Sequence, residues 1–258
     1  AAVEPLVPRG LEATSVDGAA VHGWVVVPPG AGPHPVILMI HGGPFAAFTP
    51  SFFDEAQVLA GAGYAVLMCN PRGSASYGEA HAKAIKGAFG HLDAIDVLAF
   101  LDHALRVVGT LDADRVGIMG GSYGGYLTAW LIAHEHRFAA AIVERAYLDA
   151  RSFVGASDIG WYFPAACHGA DPDAQSPLLL SGRVRTPTLV IHSENDLRCP
   201  LATALRYYTE LKQGGVDAEL LVFPGENHEL TRSGTPQHRR ARFDHILTWW
   251  RRHLPLPG

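Results

Sequence analysis

Cysteine is nearly absent from this chain of 258 residues; Cys69, Cys167 and Cys199 are the three. An odd, widely spaced trio builds neither a disulfide framework nor a Cys-rich metal site, and it points to a reducing, cytoplasmic setting. Fourteen histidines are present without an HExxH or a paired CxxC, so no metal site is read from them. Positive charge is also short: 20 basic side chains face 25 acidic ones, for a net charge of −5. That leaves no electrostatic footprint for nucleic acid. Lysine is scarce among the basic residues, which carries no functional meaning. No apolar run reaches the ~18 residues of a membrane span, so no membrane partner is expected. Ala1 to Gly10 lacks the basic-then-apolar order of a signal peptide. Core material, by contrast, is plentiful. The chain is 48% hydrophobic and 17% charged, which excludes global disorder. Its length fits one α/β domain, expected to span residues 1–258.

Short apolar runs punctuate the sequence, and most end in turn residues. Val21 to Val27 precedes Pro28-Pro29-Gly30, Val36 to Ile40 precedes His41-Gly42-Gly43-Pro44, and Ala65 to Met68 precedes Asn70-Pro71-Arg72-Gly73. Val116 to Met119, Ala139 to Val143, Thr188 to Ile191 and Leu220 to Phe223 continue the series. Runs that do not alternate suit parallel strands buried on both faces. Helical stripes lie between them: Ala94, Leu98, Leu101, Leu105, Val108; then Leu201, Leu205, Tyr208; then Phe243, Ile246, Leu247, Trp250, Leu254. Strands alternating with helices predict a mostly parallel twisted sheet with helices on both faces. The segment from Tyr147 to Arg185 reads as a long loop rich in Gly, Pro and aromatics, of the kind that is often functional.

Gly120-Gly121-Ser122-Tyr123-Gly124-Gly125 contains G-x-S-x-G between a buried run and a helical segment, Tyr126 to His134. This is the setting of a nucleophile elbow; the structural alternative is a Gly-rich turn with a capping serine. A serine hydroxyl needs a base, and the base needs an orienting acid. Asp196 and His228 follow strand runs in the chain order Ser, acid, His, and both would emerge on the sheet edge that carries Ser122. Glu194, Asp217 and Glu226 compete for the acid, and His41, His192 and His238 for the base. His41 and His192 directly end buried strands and read as structural. A tetrahedral intermediate needs two N–H donors for its oxyanion: one from Tyr123, the other from the HGG turn, with Gly43 first among its residues. Otherwise that turn merely ends a strand.

These blocks resemble the catalytic domain of prolyl-oligopeptidase-type serine peptidases, in particular the bacterial acylaminoacyl-peptidase-like branch. The likeness runs in order through His41-Gly42-Gly43-Pro44, Asn70-Pro71-Arg72-Gly73-Ser74 with Tyr77-Gly78, Asp114-Arg115-Val116-Gly117 and Gly120 to Tyr126. It continues through Ser157-Asp158-Ile159-Gly160, Asn195-Asp196-Leu197-Arg198-Cys199-Pro200 and Phe223-Pro224-Gly225-Glu226-Asn227-His228. The resemblance implies an α/β-hydrolase fold with Ser122 as nucleophile, Asp196 as orienting acid and His228 as general base. It implies Gly43 and Tyr123 as oxyanion donors, and Arg198 as a cation near bound substrate, its alternative being a surface salt bridge. Phe153, Trp161 and Phe163 are candidates to line an acyl or side-chain pocket, with core packing as their alternative.

The family normally carries an amino-terminal β-propeller. This chain starts about twenty residues before its first strand run, so a fragment of a longer enzyme is favoured over a freestanding hydrolase. The face that a propeller would cover is expected to expose apolar surface and promote homo-oligomer formation. The expected function is hydrolysis of short or N-acylated peptides without metal or organic cofactor. A carboxylesterase of the same fold is the alternative, and a non-catalytic binding domain the remote one.

Overall fold

The computed structural model describes residues 4–256. Residues 1–3 and 257–258 lie outside it, so the segment Ala1 to Gly10 lies partly outside the described residues. Each apolar run forms a strand of one eight-stranded sheet. The strands are β1 (Arg9–Thr14), β2 (Ala20–Val26), β3 (His34–Ile40), β4 (Ala65–Asn70), β5 (Leu111–Gly121), β6 (Ala140–Glu144), β7 (Thr188–Ser193) and β8 (Ala218–Phe223), in the order β1-β2-β4-β3-β5-β6-β7-β8. β1 and β2 pair antiparallel, as do β2 and β4, and every other pairing is parallel.

The helices are α1 (Asp54–Gly61), α2 (Glu79–Lys83), α3 (Leu92–Val107), α4 (Tyr123–His134), α5 (Ala150–Val154), α6 (Phe163–Cys167), α7 (Leu201–Gln213), α8 (Leu230–Ser233) and α9 (Pro236–His253). Alternate residues of one strand serve opposite layers, as the period of two demands. In β3, Ile37 and Met39 join the layer that contains α1 and α9, while Val36 and Leu38 join the layer of α3, α4 and α7. β3, β4, β6 and β7 are buried along their whole length, which is why they read as unbroken apolar runs.

Three features differ from the sequence expectation. β1 has no apolar run; of Arg9 to Thr14 only Ala13 is buried, because the strand lies at the sheet edge. Helix α7 turns a different face inward than expected. Ala204, Tyr207 and Leu211 are buried, whereas Leu205 is 44% exposed. The two stripes are interleaved at equally helical spacing, and packing on β7 and β8 selects between them. The segment 147–185 is not one open loop: it holds α5, α6 and two short 3₁₀ turns, Asp173–Gln175 and Ser181–Arg183. Among the described residues no helix is long and apolar enough to cross a membrane.

Candidate active site

The carboxyl ends of β3, β5, β7 and β8 lie on one edge of the sheet, and each delivers a segment to the same cleft. Ser122 follows β5 with φ 61° and ψ −120°, a left-handed conformation rare for a side-chain-bearing residue. Such strain costs about 1–3 kcal/mol and persists only where surroundings enforce it. Here Ser122 N–H donates to Glu144 O at 3.0 Å, and Ser122 O accepts from Tyr126 N–H at 3.0 Å and Tyr147 N–H at 3.2 Å. Gly124 is required for the turn, since a Cβ there would sit 2.2 Å from Ile40 O. The serine is not a cap: its side chain makes no capping bond to α4.

The Ser122 hydroxyl instead faces His228 Nε2 at 3.1 Å. Nδ1 of the same ring lies 2.8 Å from Asp196 Oδ2. With Nδ1–H donating to the carboxylate, Nε2 is left to accept from the serine. Asp196 is fixed in turn, because its Oδ1 accepts the N–H of Arg198 at 3.0 Å and of Cys199 at 2.8 Å. The competing acids are engaged elsewhere. Glu194 accepts Gly225 N–H at 2.8 Å, and Glu226 accepts the Thr235 N–H and hydroxyl together with His238. Asp217 faces His253. His41 and His192 are structural. His41 donates Nδ1–H to Gly42 O at 2.7 Å and accepts the Ser74 hydroxyl at 2.9 Å; His192 donates to Cys199 O at 2.6 Å. Burial pushes both histidines below their ordinary pKa.

Gly43 and Tyr123 both border Ser122, and their N–H groups have no hydrogen-bond partner among the described residues. Gly43 has φ 124°, and a Cβ there would fall 2.7 Å from Phe45 N, so only glycine fits. The loop that carries it is clamped by Asn70, whose amide accepts from Phe48 N–H at 2.8 Å and donates to Phe48 O at 3.0 Å. Arg72 of the same Asn-Pro-Arg-Gly block binds the buried Asp96 through its Nε and Nη2. Tyr123 sends its side chain away from the cleft, where its hydroxyl donates to the fully buried Asp93. Asp93 also accepts Gly90 N–H at 3.1 Å and Ala94 N–H at 3.0 Å. Burial raises the Asp93 carboxyl above the usual range, and burial together with the Asp93 charge raises the Tyr123 phenol.

Two cavities flank the serine. The smaller, about 50 Å³, is lined by Tyr147, Phe153, Ile159 and Phe163 with Arg198 and Cys199. The larger, about 500 Å³, is a cleft bordered by the loop after β3, α1, His228 and several charged side chains. Phe153 lines the small pocket and also packs in the core, 3% exposed. Trp161 does not line it. It is 80% exposed on the turn between α5 and α6, edge-on to Tyr162, because that turn carries its ring outward. Arg198 forms the salt bridge of its alternative reading, donating Nε and Nη2 to Asp158 at 2.7 and 3.0 Å, and it also borders both cavities.

Sequence reasoning missed the support beneath the cleft. Arg242 of α9 is buried and binds two carboxylates, Glu144 at 2.6 Å through Nε and Glu55 at 2.8 Å through Nη2. It missed Asp93 as well, which lies beside the expected stripe on the row of Val97, Phe100 and Ala104 that α3 also buries.

The family model for the prolyl oligopeptidase family matches residues 50–256. An uncharacterized peptidase of Bacillus subtilis, YuxL, is 38% identical over 96% of this chain and 39% of its own length. The acylamino-acid-releasing enzyme of Arabidopsis thaliana is 35% identical over 86% of this chain and 30% of its own. Among solved structures, an acylaminoacyl peptidase in complex with Z-Gly-Gly-Phe-chloromethyl ketone superposes with TM-score 0.94 at 32% identity, covering 99% of this chain and 43% of that one. The chain therefore spans about two fifths of the length of these relatives or less. With a family model matched over most of its length, and an α/β-hydrolase sheet shared with solved acylaminoacyl peptidases, the chain belongs to the prolyl oligopeptidase family of serine peptidases.

Proposed function

We propose that the chain hydrolyses short or amino-terminally acylated peptides through a covalent acyl-Ser122 intermediate. The observation that carries this is the hydrogen-bonded path from Asp196 through His228 to Ser122, beside two unpartnered N–H groups. His228 Nε2 takes the hydroxyl proton as Ser122 Oγ bonds to the scissile carbonyl carbon. The carbonyl π electrons move to oxygen, and the oxyanion is held by the N–H groups of Gly43 and Tyr123, each worth about 3 kcal/mol. The protonated His228 then gives its proton to the leaving amine as the C–N bond breaks. Water deacylates the serine with His228 again as base, and the acid product leaves. These steps call on no cofactor.

His228 lines the large cleft and not the small pocket. The group that receives its proton therefore departs through the cleft, and the acyl side chain occupies the aromatic pocket. Arg198 stands between them with Nη1 free for a carbonyl on the acyl side. The relatives named acylamino-acid-releasing enzyme and acylaminoacyl peptidase, the latter solved in complex with Z-Gly-Gly-Phe-chloromethyl ketone, support this choice of substrate.

Paired steady-state kinetics on the 258-residue chain tests the reading. An N-acetyl-phenylalanyl anilide and a short-chain nitrophenyl ester are the two substrates. Efficient anilide cleavage is expected. Ester cleavage with no detectable anilide cleavage contradicts the peptidase assignment in favour of a carboxylesterase.

A further inference from the structure

Among the described residues every charged side chain lining the large cleft makes a contact ion pair except Arg145, whose charge reaches Glu144 and Glu229 only from beyond ion-pairing distance. Asp54 pairs with Arg239, Glu55 and Glu144 share Arg242, Glu229 pairs with Arg232, and Arg198 pairs with Asp158. Arg145 lies in the same lining at 9% exposure. Its Nε is buried without a hydrogen-bond partner, and its one side-chain bond is a long one, 3.3 Å from Nη2 to Thr231 Oγ1. A guanidinium cannot shed its proton, so burying it unpaired is costly unless something else satisfies it.

The backbone holds the arginine in this position. Arg145 adopts φ 37°, and its N–H donates to Ile191 O at 2.7 Å. The guanidinium lies against the Cα of Gly121, where an added Cβ would fall 2.9 Å from Cζ. Gly121 immediately precedes Ser122, so the cation sits about one residue from the nucleophile.

We propose that Arg145 forms a carboxylate-binding subsite on the leaving-group side of Ser122, which accepts the free C-terminal carboxylate of a leaving group one or two residues long. The inference rests on the reading of Ser122 as nucleophile and His228 as proton donor to the leaving amine. The side follows from His228, which lines this cleft alone. The length follows from reach, since an extended residue spans only about 3.5 Å. The chemistry follows from the planar fork of N–H donors, which matches a carboxylate and strengthens in a partly dry site. The cleft thereby favours acylated dipeptides and tripeptides over long chains or blocked carboxyl ends.

The test compares N-acetyl-phenylalanyl-alanine with its C-terminal amide, on the wild-type chain, Arg145→Lys and Arg145→Met. The wild type is expected to cleave the free acid with a kcat/KM about tenfold higher or more, the scale of one charged hydrogen bond. Arg145→Met is expected to lose the preference and Arg145→Lys to keep part of it. No preference in the wild type overturns the proposal, as does an unchanged preference in Arg145→Met. The ratio is internal, so a general loss of activity moves both substrates together. A second arm needs no turnover and no change at Arg145. Alanyl-alanine and its amide are titrated into the Ser122→Ala chain by ligand-observed NMR. Tighter binding of the free acid supports the subsite, and equal binding overturns it. If the wild type cleaves neither peptide, the peptidase reading fails while the NMR arm still decides the subsite.

Discussion

The two sides of Ser122 are built from opposite materials. On one side Tyr147, Phe153, Ile159 and Phe163 enclose about 50 Å³. On the other, seven charged residues and the loop after β3 border about 500 Å³. Aromatic packing shapes the small pocket: Tyr147 meets Phe153 and Phe163 edge-on, and its hydroxyl is tied to His168 Nε2 at 2.7 Å. Ion pairs shape the cleft, with Arg242 bracing Glu55 and Glu144 from below. Shape selects weakly between similar apolar groups, whereas a buried charge discriminates strongly against a ligand that leaves it unpaired. The acyl side is accordingly expected to be tolerant and the leaving-group side exacting.

The largest expected effect removes what the two sides share. Ser122→Ala should lower kcat by about a millionfold on any substrate while leaving the melting temperature near that of wild type. Residual turnover within a factor of about ten of wild type would detach both cavities from the chemistry. Asp196→Asn should cost about 10⁴ in kcat by leaving His228 in the wrong tautomer. Below that comes the floor of the cleft. Arg242→Met strands the buried Glu144 and the partly buried Glu55 and should cost about 3–5 kcal/mol of stability, read from the urea midpoint. A midpoint at the wild-type value would show that ion pairing does not support this side. Phe163→Ala opens the small pocket and should move preference toward bulkier acyl side chains by about tenfold in relative kcat/KM.

The smallest expected effect concerns pH. His41, His168 and His192 are held below their ordinary value of 6.5, chiefly by burial. The unfolded chain then binds more protons than the folded one as pH falls. Their contribution to stability is complete above pH 6.5 and is lost as pH drops below it toward their folded values. The melting temperature should therefore fall between pH 7 and pH 5. A flat or rising profile contradicts buried neutral histidines.

The chemistry-bearing turns were legible because each follows a short apolar run that ends a strand, buried along the whole strand in β3 and β7, over Val116 to Gly120 in β5, and at Phe223 in β8. The residues just beyond such runs must lie on one sheet edge. Ser122, Asp196, His228 and Gly43 were singled out in this way, with position and the family resemblance choosing among rival acids, and the fold brings the four together. Residues acting through long-range partners left fainter signals. Asp93 and Asp96 sit on the buried face of α3, which marks them as paired without naming Tyr123 or Arg72 as the partners. Arg145 follows β6, and nothing in its neighbours in sequence signals that it would lack a contact ion pair. β1 escaped notice because an edge strand needs only one apolar position. Trp161 was misplaced because an aromatic residue in a turn packs inward or outward according to a backbone path that composition does not specify.

The central claim is that Ser122 becomes covalently acylated with His228 as its base. A fluorophosphonate probe and peptide mass spectrometry address it directly, on the wild-type chain and on His228→Ala. The account predicts one adduct on the peptide that contains Ser122 in the wild type, and labelling slowed by orders of magnitude in the variant. No adduct on the folded wild-type chain, or equal labelling of the two, would contradict it.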